Sequence, residues 1–294
     1  MKLPEFHIEK VEDLTLVASE PLASMYTLSP FVWPMRGFEV LLRAVNRSAN
    51  PTEKVARVYH GVSSDGLTFS MGEQPAIAPG PAEEDCDGCE DPTAVLHDGD
   101  VFVFYTGWNQ RLQRGQLMLA RGHHPDQLHK VKVALPTSSR WENPKEATVV
   151  RQDDGLWRMF FEYAAGGASR IGVGTSPDLL GAWEVDAASL QVRLGSWDNW
   201  HLSPGPVVRH EGLPLMFYNG ATKDAKWRIA WAVFNETYTR VLGRSKDALI
   251  IPPPPQSDET DIAFAASAVE VNGKFWLYYS VADQKMKRAT LTVS

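Results

Sequence analysis

The tightest constraint on this chain is a turn that keeps returning. Apolar segments flank a glycine at Gly37, Gly99, Gly155, Gly212 and Gly273, and successive turns lie 62, 56, 57 and 61 residues apart. Glycine supplies the positive φ that a tight hairpin turn demands. The paired segments are residues 93–96 with 101–106, 147–150 with 156–163, 206–208 with 213–219, and 268–271 with 274–280; residues 38–45 follow the first turn. Each unit then has a further segment, at residues 58–66, 117–121, 170–178 and 228–233, with a last one in the tail, 286–293. Helical periodicity is absent. Short strands repeated at one period must stack on their neighbours to bury their faces. The sequence therefore predicts an all-β chain, a five-bladed β-propeller, as one domain over residues 1–294. A β-sandwich would not require so regular a repeat. The prolines at 252–255 cannot extend a ladder and are expected to form a stiff connection between the fourth and fifth units.

Charge narrows the partners. With 29 Lys and Arg against 36 Asp and Glu, the net charge is −7, and nucleic acid is not an expected partner because it needs a basic face. The first ten residues, MKLPEFHIEK, lack the apolar core of a signal peptide, and no stretch approaches a membrane span, so a cytoplasmic, membrane-free protein is expected. The two cysteines, Cys86 and Cys89, have C-x-x-C spacing without the second pair that a zinc ribbon needs, and read as reduced thiols in a loop. His123, His124 and His129 read as solvated. No metal or other cofactor is expected.

In a propeller the innermost strands line a central channel, so the residues just before them sample one rim. These are Ser29-Pro30, Glu90-Asp91-Pro92, Lys145-Glu146, Ser203-Pro204-Gly205 and Ala265-Ala266-Ser267. Two units bring carboxylates to the rim and one brings a lysine. Glycoside cleavage needs a carboxylic acid to protonate the departing oxygen and commonly a second carboxylate. A neighbouring carboxylate raises the pKa of that acid and keeps it protonated. The alternative reading of Asp91, before proline, is a turn cap. Arg43 ends an apolar strand and should face the channel, since a buried guanidinium without partners is costly. Trp33 and His201 could shape a sugar subsite, Glu90 could bind a hydroxyl, and Lys145 is placed to touch a ligand.

Several of these segments resemble glycoside hydrolase family 130, a family of five-bladed propellers acting on β-linked mannosides. Gly88-Cys89-Glu90-Asp91-Pro92 is similar to its G-x-E-D-P motif, and Lys145-Glu146-Ala147-Thr148-Val149 to its K-D-A-V segment. Gly205-Pro206-Val207-Val208 with residues 214–220 resembles its G-P-P-P-I and L-L-I-Y-H-G stretch. Residues 258–264, Ser267-Ala268-Val269 and residues 278–283 resemble its fifth-blade segments, and Arg43-Ala44 its Y-R-A. The resemblance implies an inverting enzyme with Asp91 as general acid, acting on an oligosaccharide or small glycoside. Thr93 stands where the family has arginine, and the Phe-Pro after K-D-A-V-L is missing. Phosphate needs clustered cations, and Arg43, Arg57 and Lys145 are the candidates left. Hydrolysis is therefore the expected outcome, with water activated by a carboxylate such as Glu146 or Asp258. Inorganic-phosphate-dependent phosphorolysis is the alternative, and a non-catalytic sugar-binding propeller the second. An arabinanase-like glycosidase would need a carboxylate where this chain has Ser29-Pro30-Phe31.

Overall fold

A computed structural model describes residues 3–257 and 259–294. The chain is all-β, and the described residues form twenty-two strands and three single-turn 3-10 helices. The strands form four hydrogen-bonded sheets, one of nine strands. That sheet is two mainly antiparallel groups joined by the parallel pair Ala56 with Gly88, and the first group also holds Thr15–Val17 parallel to Thr68–Met71.

Each group begins with a hairpin. The first strands are Tyr26–Met35, Gly88–His97, Glu142–Arg151, Val207–His210 (preceded by the short strand His201–Ser203) and Ala263–Val271. Their partners are Gly37–Val45, Asp100–Asn109, Trp157–Ala165, Leu213–Ala221 and Lys274–Val281. All five turn glycines have positive φ, and Asp98, Glu211 and Asn272 just before three of them do as well. That doubled left-handed geometry matches the right-handed twist of the strands it joins. The last group is completed from both ends of the chain, because Phe6–Asp13 pairs antiparallel with the final strand Lys285–Val293.

The second strands explain the stacking. Their residues alternate between two buried faces, as a strand period of two dictates. Phe102 and Phe104 pack with Met159 and Phe161 of the next group, whereas Val101, Val103 and Tyr105 pack with Leu41 and Val58 of the preceding one. Phe160 meets Met216 and Tyr218; Leu215 and Phe217 meet Phe275 and Leu277. The series returns to its start, since Tyr278 and Met286 of the last group pack against Val40, Leu42 and Tyr59 of the first. A cavity of about 280 Å3 is lined by the first strands of all the groups, through Val32, Thr93, Thr148, Val207 and Ser267 among others.

One glycine is required by close approach. A Cβ on Gly205 would lie 1.9 Å from the carbonyl oxygen of Phe217. Gly205→Ala must therefore push two strands apart, and overpacking of this kind costs about 1–3 kcal/mol. A thermal melt should show the midpoint lowered by several degrees; an unchanged midpoint would mean that the contact relaxes freely.

Candidate active site

Three neighbouring first strands carry the same irregularity at the same end. The ladder slips between Leu28 and Phe31, between Glu90 and Thr93, and between Lys145 and Thr148. Within each slip sits a non-glycine residue with left-handed φ, Ser29 (52°), Asp91 (47°) and Glu146 (52°). Such bulges leave a residue unpaired and re-aim its side chain. Left-handed backbone in these residues is strained, a feature that clusters at functional sites. Here the three re-aimed side chains meet. Ser29 Oγ donates to Asp91 Oδ1 at 2.6 Å, and the carboxyls of Asp91 and Glu146 lie within reach of one another.

Arg43, from the second strand of the first group, lies over the carboxylates. Its Nη2 donates to Glu90 Oε1 at 2.8 Å, and its Nη1 lies 3.4 Å from both oxygens of Asp91. Lys145 Nζ is 3.2 Å from Glu162 Oε1, which also accepts from Ser169 Oγ at 2.6 Å. Burial works against charge on all of these groups, and their neighbours decide the result. Burial would pull the Arg43 guanidinium down, but the charges of Glu90 and Asp91 hold it up. Glu162 does the same for Lys145. For Asp91, burial is outweighed by Arg43 and by the Ser29 hydroxyl, and its pKa falls below the ordinary carboxyl range. Glu146 has no such cover. Burial raises its pKa well above the ordinary range, and the neighbouring carboxyls of Asp91 and Glu162 raise it further. The expectation that Asp91 is the group kept protonated by crowding is thus reversed within the pair.

Together these side chains floor a pocket of about 310 Å3. Five carboxyl groups line it (Glu90, Asp91, Glu146, Glu162 and Asp283), together with the cations Arg43, Lys54 and Lys145. Arg43 and Lys145 are engaged with carboxylates, while Lys54 makes no ion pair among the described residues. One wall is Tyr26, Leu28 and Val45; the facing wall is Trp227, Ile262 and Phe264. The Trp227 ring lies 5.2 Å from Phe264 and 5.5 Å from His201. His201 thus stands beside Trp227. Its Nδ1 accepts the Ser169 amide at 3.0 Å, and burial lowers its pKa, so the neutral ring carries its proton on Nε2.

The pocket gathers Arg43, Glu90, Asp91, Lys145 and Glu146 of the residues expected from the sequence. Three others do not line it, and of these His201 stands beside the wall residue Trp227. Trp33 is four residues beyond Ser29 on the same strand, roughly 13 Å along it at the usual strand rise. It is buried in the core between the first and second groups, and lines the cavity at the other end of the channel. Arg57 fails on parity: Arg43 pairs across the ladder with Val58, whereas Arg57 pairs with Ala44 on the opposite face. Its Nη1 donates to the carbonyl of Val55. Asp258 lies outside the described residues. Thr93 Oγ1 donates to the carbonyl of Ala147, tying two first strands together.

The sequence reading missed Ser29, Lys54, Glu162, Trp227, Phe264 and Asp283 as site residues. For Ser29 the signal existed, since Ser29-Pro30 holds the same place as Asp91-Pro92. The thiols lie apart in character: Cys89 is buried with Sγ toward Asp85 Oδ2, and Cys86 is exposed. Among the described residues no group of three or more His, Cys, Asp and Glu could hold a metal ion, and no helix is long and apolar enough to cross a membrane.

Paired carboxyls beside aromatic and aliphatic walls, with cations in the same pocket, are the kind of arrangement that suits a sugar with a bond to be protonated. The chain belongs to glycoside hydrolase family 130: residues 27–294 match the family model described as β-1,4-mannooligosaccharide phosphorylase. Among curated relatives, the β-1,2-mannobiose phosphorylase of Thermoanaerobacter sp. (strain X514) is 23% identical over 269 residues, covering 84% of this chain and 83% of the relative. Among solved structures, the Listeria innocua β-1,2-mannobiose phosphorylase in complex with β-1,2-mannobiose superposes with a TM-score of 0.79 at 17% identity, covering 96% of this chain and 90% of that one. A second structure, described as showing that the family of mannoside phosphorylases contains glycoside hydrolases targeting β-1,2-mannosidic linkages in Candida mannan, gives 0.75 at 21% identity, covering 90% and 84%. The protein is an enzyme, a glycoside phosphorylase or hydrolase.

Proposed function

We propose that this chain is a single five-bladed β-propeller catalytic domain over residues 1–294 that cleaves β-linked mannosides with inversion, transferring the mannosyl group to inorganic phosphate. The five-fold reading is supported by core layers shared between successive groups and returning to the first. Hydrolysis, expected from Thr93, gives way because the curated relative matched over most of the chain is named a phosphorylase. The observation that carries phosphorolysis is Lys54, a cation without a carboxylate partner among the described residues, in the same pocket as Arg43 and the Asp91–Glu146 pair. A point charge of this kind suits a phosphate oxygen. Arg43, Lys54 and Lys145 would together meet the phosphate, while Glu90 and Trp227 would meet the sugar. Asp91 delivers the proton to the leaving oxygen.

Hydrolysis remains the second reading, favoured by the excess of carboxyls over cations in the pocket, which repels a dianion. Incubating the enzyme with β-1,2- and β-1,4-mannobiose, with and without phosphate, separates the two. Mannose 1-phosphate formed only with phosphate is the expected result; free mannose at an undiminished rate without phosphate would replace it with hydrolysis. Lys54→Ala should raise KM for phosphate roughly tenfold, the loss of one charge-assisted contact, and leave KM for mannobiose nearly unchanged.

A further inference from the structure

Asp91 and Glu146 are equivalent residues of adjacent first strands, each thrown out of its ladder by a bulge and each left-handed in φ. The two side chains line the same pocket floor within reach of one another. Two carboxyls so placed away from water hold one proton between them more readily than they stand as adjacent anions. The remaining donors fix which member is the carboxylate. Asp91 Oδ1 accepts from Ser29 Oγ at 2.6 Å, and Arg43 Nη1 lies 3.4 Å from both Asp91 oxygens. Both neighbours are donors toward Asp91. Glu146 faces the opposite company, Asp91 from the strand before it and Glu162 from the strand after it, with Lys145 beside it but turned to Glu162. Glu90 and Asp283 add further carboxyls to the same pocket, against Arg43 and Lys54.

We propose that at neutral pH the proton of the pair resides on Glu146 and reaches the glycosidic oxygen through Asp91, so that the two act as one acid with Glu146 as its reservoir. Asp91 alone, held as a carboxylate by Ser29 and Arg43, has no proton to give. As the C1–O bond breaks, its electron pair goes to the leaving oxygen. That oxygen takes a proton from Asp91 as Asp91 takes the proton of Glu146, while the nucleophile's oxygen bonds to C1; where the nucleophile is water, its surplus proton leaves to solvent. Glu146 is left as the carboxylate and regains its proton from solvent once the products depart. The inference rests on the glycoside-cleaving reading of the pocket but is indifferent to whether phosphate or water attacks.

The directions of the two pKa values agree with this arrangement, Asp91 lowered by Arg43 and Ser29 against its burial, Glu146 raised by burial and by Asp91 and Glu162. For the wild type, kcat on mannobiose should fall as pH rises through the raised pKa of Glu146. In Glu146→Gln that basic limb should move to lower pH by a unit or more, with kcat at pH 7 down roughly a hundredfold, the low end of general-acid effects. The Glu146→Asp variant should restore part of the rate at pH 7. An aryl β-mannoside with an acidic phenol leaving group needs no proton and should be cleaved by Glu146→Gln within about tenfold of wild type. A basic limb that stays in place in Glu146→Gln would overturn the proposal, as would equal losses on both substrates. A second readout needs no turnover. With 13C-labelled glutamate carboxyls, the wild-type spectrum should contain, besides the raised Glu90, a carboxyl titrating well above the ordinary range that is absent in Glu146→Gln and shifted down in Asp91→Asn. No such resonance would overturn the assignment. Its presence in an enzyme inert toward every β-mannoside would uphold the proton's location and sink the mannoside reading instead.

Discussion

Asp91→Asn is expected to lower kcat for β-mannobiose by roughly 10³-fold, within the range for loss of a positioned general acid, while an aryl β-mannoside with an acidic phenol loses little. The split between substrates follows from geometry. Asparagine keeps the side-chain volume and still accepts from Ser29 Oγ, whose present contact is 2.6 Å. It leaves Arg43 bound to Glu90 at 2.8 Å, so the pocket keeps its shape. What disappears is the carboxyl that accepts the proton of Glu146 and passes it on. A natural disaccharide has an alkoxide-like leaving group and needs that proton in the transition state; an acidic phenol does not. The measurement is kcat and KM for both substrates in wild type and variant. Equal losses on the two would mean that Asp91 serves binding or folding, and would take the general acid out of the proposed function.

How much of this could be read beforehand depends on which signals are local. The hairpins were legible because a turn is written in two residues: Asp98-Gly99 and Asn272-Gly273 take the left-handed geometry that their chemistry favours, and Gly212 carries Glu211 into the same turn. The stacking order followed from the spacing of those turns. Glu90, Asp91, Lys145 and Glu146 reach the pocket as their place at the start of the turn-bounded hairpins suggested, although they lie within the first strands rather than before them, and only Asp91 and Glu146 sit in the bulges. Trp33 and Arg57 were misjudged for reasons of distance and parity along strands that sequence position alone does not specify. Trp227, Lys54, Glu162 and Asp283 join the pocket through tertiary closure. Trp227 begins the third strand of its group, Glu162 sits in the second strand of its own, and Asp283 lies in a turn with positive φ at Ala282 and itself. None has a local pattern announcing that it will face Asp91. The division of one proton between Asp91 and Glu146 was beyond the sequence too, since it depends on Ser29 and Arg43 reaching one carboxyl and not the other.

Arg43 is the group on which the pocket's charge balance depends, and Arg43→Met should be the most damaging single change to stability. The guanidinium touches Glu90 and Asp91 and is largely withdrawn from solvent, with the Arg43 and Glu90 side chains 22% and 21% exposed and Asp91 5%. Methionine fills much of the space and leaves two carboxylates in a low-dielectric site without their cation. Breaking a buried pair in this way costs about 3–5 kcal/mol, which for a chain of this size corresponds to a fall in Tm on the order of 10 °C. The loss should depend on pH with a definite sign. In the wild type the Asp91 pKa is lowered, so its ionised form adds stability above the unfolded carboxyl pKa, and that stability fades as pH falls through the folded value. Without Arg43 the largest influence lowering that pKa is gone, burial dominates, and the folded pKa rises above the unfolded one. The carboxylate then opposes folding at every pH above the unfolded carboxyl pKa, increasingly until the raised folded value is passed. The difference in Tm between wild type and Arg43→Met should accordingly be largest near pH 7–8 and shrink toward pH 4, where protonation relieves both Glu90 and Asp91. Calorimetric melts across that range test it. A loss independent of pH would assign the role of Arg43 to packing of its aliphatic stem, and a loss that grows toward acid would contradict the charge balance derived for the pocket.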